Sequence, residues 1–206
     1  MSYLPNFVTL VGVWMAFVIT PGPDFAVTVQ YATAHSRRDG ILVALGITTA
    51  IAIWITTSVV GLGVLLARVG WLIEIIHLMG GLYLVYIGIK TIMHASHPTQ
   101  PMASVAPVPT RSFSAWGVGF STNISNPKAI AFFSSLFVAL LPVHPPLWVQ
   151  TTSVVLLVII AASWFCLVAC LFSLAPVTRA YLRAKRWIDY LTGGIFVTLG
   201  IWLAFK

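Results

Sequence analysis

Two charged residues stand inside otherwise apolar sequence, and each lies at a proline. Asp24 closes the run Thr20-Pro21-Gly22-Pro23-Asp24, and Lys128 closes Asn123-Ile124-Ser125-Asn126-Pro127-Lys128. Proline within a helix removes an amide donor and leaves a carbonyl without its partner. Hydrocarbon satisfies neither group, so such breaks occur where protein or a water-filled cavity surrounds them. Helix ends at a break offer free amides to an anion and free carbonyls to a cation. A charge at the bilayer centre costs roughly 3 kcal/mol or more, and it therefore faces a cavity or a partner. Together the two breaks suit a zwitterion, with an ammonium at Asp24 and a carboxylate at Lys128 and the amides beside Pro127. Asp24 also fits a proton-coupling role, taking up a proton as substrate leaves. The structural alternative is an Asp24–Lys128 salt bridge, or snorkelling of both charges toward the interface.

Other polar residues carry less. Thr48, after Gly46, is a candidate hydroxyl for the same cavity, as is its neighbour Thr49, although intramembrane threonines commonly bond their own backbone. Gln30 lies one to two turns beyond Asp24. Glu74 and Asp189 stand close to Trp71 and Trp187 near helix starts, where placement at the membrane interface accounts for them. His94 and His97 have a spacing that suits a metal, but two histidines without further ligands are a weak signal, and no metal site is expected. Cys166 and Cys170 share one helix face four positions apart, which disfavours a disulfide and fits packing. Trp14, Trp54, Trp116, Trp148, Trp164 and Trp202 read as belt or packing residues. There is no P-loop, H-E-x-x-H or G-x-S-x-G pattern in the chain. ATP hydrolysis, enzymatic chemistry and a cofactor are therefore not expected.

The elements that must position these groups follow from composition. Of 206 residues, 59% are hydrophobic and only 7% are charged. Soluble domains carry about 25% charged residues because their surface faces water, whereas lipid accepts an apolar exterior. The formal net charge of +7 is spread between apolar runs, which reads as topogenic charge and not as a nucleic-acid footprint. The amino terminus lacks a basic n-region and an A-x-A-like cleavage site, so the first apolar run is expected to remain as a helix.

Six apolar segments are long enough to span a bilayer, at about 20 residues each. They cover roughly 7–34, 41–67, 71–93, 113–141, 147–174 and 187–205, with the first and fourth broken at proline. Arg37 and Arg38 occupy the first connection, and Lys90 and Arg111 flank the third. Arg179, Arg183, Lys185 and Arg186 occupy the fifth connection, while the alternate loops are nearly uncharged. The positive-inside rule puts the basic loops in the cytoplasm and both termini outside. The expected organisation is one all-α transmembrane transporter domain. Repeat one covers about 1–94, a linker about 95–112, and repeat two about 113–206.

A weak internal echo accompanies this division. Each half opens with a proline-broken helix, and each closes on a glycine pattern, Gly80-Gly81 with Gly88 and Gly193-Gly194 with Gly200. Three helices per half force opposite insertion, giving the inverted repeats of many secondary transporters, and paired interruptions are the sequence pointer to their binding sites.

Pro21-Gly22-Pro23-Asp24-Phe25, Arg37-Arg38-Asp39-Gly40 with Leu45-Gly46-Ile47-Thr48, Gly80-Gly81-Leu82-Tyr83-Leu84, and Asn123 through Ala129 resemble the LysE/RhtB family of amino-acid exporters. The resemblance covers essentially the whole chain. It implies a multi-pass protein of the bacterial inner membrane that exports threonine, homoserine or a related small neutral amino acid in exchange for protons. Its partners would be that substrate, protons and lipid, with a homo-oligomer open. Rival readings are an exporter of another small solute or a divalent metal, a membrane thiol-disulfide relay, and a non-transporting scaffold. The relay is disfavoured because both cysteines fall in the fifth segment.

Overall fold

The computed structural model describes residues 4–68, 71–95, 112–133 and 146–205. Most of the linker, His97, Arg111 and the end of the fourth expected segment lie outside these residues, as does the side chain of Glu74. Among the described residues the chain is helical. The elements are α1 (Leu4–Ile19), α2 (Pro23–Ala34), α3 (Arg37–Arg68), α4 (Trp71–Ala95), α5 (Ser112–Ile124), α6 (Pro127–Ala131), α7 (Leu147–Phe172) and α8 (Ala175–Ala204).

Both proline breaks fall where the sequence puts them. Pro23 opens α2, where its missing amide is not needed, and extended Gly22 caps it. The described part of α1 and α2 meet at 52°. Pro127 opens α6 in the same way, and the Asn126 side chain accepts from the Lys128 amide. The expected loop at Arg37 and Arg38 is instead the first turn of α3. Ser36 starts it as a cap: the Asp39 amide donates to the Ser36 hydroxyl (3.1 Å), which donates to the Asp39 carboxylate (2.7 Å).

A larger correction concerns the fifth connection. Arg179, Arg183, Lys185 and Arg186 lie within α8, which begins at Ala175 and not near Trp187. Pro176 sits in the first turn, where proline is tolerated, and Ala, Leu, Arg and Lys are strong helix formers. The charged residues that lower hydropathy thus do not interrupt the helix.

Arg37–Val59 and α7 are each long and apolar enough to cross a membrane. The bent pair of α1 and α2 makes a further span if its halves are taken together, and apolar Leu78–Met93 is shorter. Large apolar side chains remain exposed, among them Leu82, Met93, Val155, Ile159 and Leu191. An exterior of this kind belongs in lipid.

Two helix pairs, α3 with α5 and α4 with α8, come close together at glycines. A Cβ placed on Gly46 of α3 would strike the Trp116 carbonyl of α5, and one on Gly119 would strike the Val43 carbonyl. On α4 and α8 the contacts are reciprocal. A Cβ on Gly81 would lie 2.6 Å from the Gly200 carbonyl, and one on Gly88 would lie 2.6 Å from the Gly193 carbonyl. Small residues let backbones approach where lipid offers no hydrophobic drive for association. The main core gathers Trp14, Phe17, Phe132 and Phe133 with Ile47, Ile51 and Ile55. Trp14, fully buried, donates its indole N–H to the Leu157 carbonyl of α7 (3.1 Å), so it is a core residue and not a belt residue.

Candidate functional site

The two breaks meet. Asp24, in the first turn of α2, is buried, and its Oδ2 accepts from Asn123 Nδ2 (2.9 Å) and Asn126 Nδ2 (3.0 Å). Asn123 lies in the last turn of α5 and Asn126 caps α6, so the second break supplies both donors. Asn126 acts at both ends of its amide, since its Oδ1 also accepts the Lys128 amide (3.0 Å). The other carboxylate oxygen, Asp24 Oδ1, is buried without a hydrogen-bond partner, and so is Asn123 Oδ1. A buried acceptor left unmatched costs about 1–3 kcal/mol, so the cluster stands ready for a donor or a proton.

Lys128 turns the other way. Its ammonium donates to the carbonyls of Phe17 (2.8 Å) and Thr20 (3.0 Å), two of the acceptors freed where α1 ends. It also lies over the Phe17 ring at 4.5 Å and the Phe196 ring at 5.3 Å from their centroids. The Asp24–Lys128 salt bridge set out as the structural alternative is not the contact made: the carboxylate is held by two amides and the ammonium by two carbonyls. The amide beside Pro127 expected to receive a carboxylate is occupied by its own cap, because asparagine satisfies it locally.

The remaining candidates divide. Thr20 is buried, its hydroxyl on the Ala16 carbonyl (2.6 Å) and its own carbonyl on Lys128. Gly22 lies against Lys128, where a Cβ would come within 3.8 Å of Nζ. Pro21 and Gly22 line a cavity, whereas Pro23 and Pro127 face outward at helix starts. Thr48 is buried in α3 but donates to the Ala44 carbonyl (2.8 Å), the backbone use that competes with a site role. Thr49 does the same with Leu45 from an exposed position. Gln30 keeps a buried, unpartnered Oε1. Cys166 and Cys170 lie together on α7, and the Cys170 sulfur accepts from the Arg37 guanidinium (3.0 and 3.2 Å), away from both breaks in sequence.

Three features escape the sequence reading. Phe17 sits three positions before the first break, and its carbonyl and ring both serve Lys128. Phe196 reaches the same ammonium from α8 with no local signal. Asp189, expected at the interface, is buried and paired with Lys185 one turn earlier. The i, i+4 spacing of Lys185 and Asp189 is the signal that could have flagged it.

A chain helical in its described residues, with apolar spans and with a buried acid and a half-buried base at paired helix breaks, has the makings of a membrane translocator. The chain belongs to the LysE family: the family model for the LysE type translocator matches residues 15–206. It is 32% identical to the threonine efflux protein of Escherichia coli strain K12 over 201 residues, covering 96% of each chain. The Salmonella typhi threonine efflux protein is also 32% identical, over 198 residues and 96% of each chain. A leucine efflux protein of Salmonella choleraesuis is 28% identical over 133 residues, covering 63% of this chain and 60% of its own. No solved structure matches.

Proposed function

We propose that this chain is a secondary transporter that exports a small neutral amino acid of the threonine or homoserine kind from the cytoplasm, in exchange for protons. The observation that carries the reading is the buried Asp24 carboxylate. One oxygen is held by two amides of the other break, and one is left unpartnered. Asn123 and Asn126 fix the carboxylate without neutralising it, so a substrate ammonium or a proton can be the group that completes Oδ1. Competition between those two occupants is the elementary basis of exchange. Lys128, whose ammonium is held by two neutral carbonyls, is the counterpart for the substrate carboxylate, which as an anion is a stronger acceptor than a neutral carbonyl. Thr20, Pro21, Gly22, Pro23 and Pro127 belong to the proposed site as the backbone of the two breaks, and Thr48 as a buried hydroxyl.

The names of the similar efflux proteins favour an amino acid as cargo. The reciprocal glycine contacts of α4 and α8 favour two inverted repeats of three helices. If Gly81 corresponds to Gly193 and Gly88 to Gly200, a two-fold axis converts the Gly81–Gly200 contact into Gly193–Gly88. The basic stretch at the start of α8 favours a cytoplasmic position for that end in the bacterial inner membrane, with both termini outside.

The test is efflux of labelled threonine and homoserine from cells expressing the chain, beside Asp24→Asn, with and without a proton uncoupler. Fast efflux from wild type, lost both in the variant and with uncoupler, is the expected result. Retention equal to that of empty cells across a wide amino-acid panel would reject export of amino acids. Retention of threonine with release of leucine would move the substrate toward larger apolar side chains.

A further inference from the structure

Beside the first break lies a cavity of about 350 Å3 that does not include Asp24. Pro21, Gly22 and Phe25 form one wall, α4 adds Lys90, and α8 adds Tyr181, Lys185 and Asp189. Its volume is in the range of small-molecule sites, which begin at about 300 Å3.

The Lys185–Asp189 pair is poorly placed as a structural device. Lysine four positions ahead of an acid is the weaker order on a helix. Asp189 is buried while the Lys185 side chain stays 29% exposed, so the carboxylate is desolvated for the sake of one flexible partner. As a binding device the same pair is well placed. An amino-acid ammonium can replace Lys185 on Asp189, and the released lysine can take the carboxylate, with Lys90 adding positive charge to the opposite wall. Phe25 and Tyr181, their ring centroids 5.0 Å apart, offer apolar surface to a side chain. Gly22 lines this cavity and also lies against Lys128, so only a residue without a side chain separates the two sets of charges there.

We propose that this cavity is a loading site for a zwitterionic amino acid, at the basic end of α8 and occupied before the Asp24 cluster, with Asp189 receiving the ammonium and Lys185 the carboxylate. It rests on the export reading above.

Membrane vesicles of both orientations carrying the full chain, assayed for exchange of labelled threonine, homoserine and leucine, give a half-saturating concentration at each face. Asp189→Asn is expected to raise it about tenfold at the face bearing the basic end of α8, the factor that loss of a charge-assisted hydrogen bond carries. The opposite face keeps the wild-type value. Lys185→Gln, which leaves Asp189 in place, gives the same one-sided shift and serves where Asp189→Asn fails to insert. The double change Lys185→Asp with Asp189→Lys keeps an ion pair, so it restores wild-type exchange if the pair is only structural, and fails to restore it if the pair binds substrate. Unchanged half-saturation in the single variants, or rescue by the double change, overturns the loading site while wild-type exchange upholds export. Wild-type vesicles that exchange no amino acid of a full panel overturn the export reading and the loading site together.

Discussion

Asn123 and Asn126 both donate to the same oxygen of Asp24, and they differ in what else they do. Asn126 also caps α6 through the Lys128 amide, so its removal costs a helix cap as well as a donor. Asn123→Ala should therefore slow efflux with little loss of the fold, whereas Asn126→Ala should slow efflux and also destabilise by about 0.5–2 kcal/mol, the range of a lost cap. Thermal unfolding in detergent beside the efflux assay separates the two, and equal melting of both variants would contradict the capping role. At Lys128 the expectation is loss of both properties. Lys128→Met leaves the Phe17 and Thr20 carbonyls without their donor, at about 1–3 kcal/mol for each buried acceptor stranded. Wild-type melting in Lys128→Met would show that water or another group reaches those carbonyls.

The glycines are decisive at the scale of elements, but only some of them. A Cβ at Gly46 or Gly119 meets backbone of the facing helix, which cannot move aside as a side chain can. Gly46→Ala and Gly119→Ala should therefore separate α3 from α5, at a cost of about 1–3 kcal/mol or more, and lower the yield of folded protein. Gly117 lies two residues from Gly119 on the same helix, yet a Cβ there would meet nothing within 4 Å. Gly117→Ala should accordingly be neutral or gain about 0.5–1 kcal/mol in helix propensity. Size-exclusion profiles of the three variants in detergent decide this, and a monodisperse Gly119→Ala would contradict the close contact. The pattern in sequence shows only that small residues recur; which of them touches a backbone depends on which helix lies opposite.

For the whole molecule, orientation has a direct measurement. Single cysteines in a chain lacking Cys166 and Cys170 report which end of each helix is accessible. Arg183→Cys, exposed in the basic part of α8, should react with a membrane-impermeant thiol reagent only once the inner membrane is permeabilised. Thr151→Cys, exposed in the first turns of α7, should react in intact cells whose outer membrane has been opened. The reverse pattern would place the termini in the cytoplasm and the proposed loading site outside, which no exporter of this direction could use.

Residence in lipid, the two breaks and the residues that flank them were legible in the sequence by itself, because each is a local property. Apolar run length decides membrane residence, and proline at 23 and 127 decides where helices restart whatever they pack against. Partner choice was not local. Asp24 and Lys128 look like a pair in sequence, yet each finds better partners, the carboxylate two amides and the ammonium two carbonyls freed by the first break. The basic stretch before Trp187 reads as a loop by hydropathy and is helix, since charge lowers hydropathy without lowering helix propensity. Asp189, placed near a helix start by its neighbouring tryptophan, is buried mid-helix on a cavity that it shares with Pro21 and Gly22 of the first break. Tertiary structure alone decided the partners of Asp24 and Lys128 and the burial of Asp189, for pairing and burial are fixed by which helices cross and how near they come.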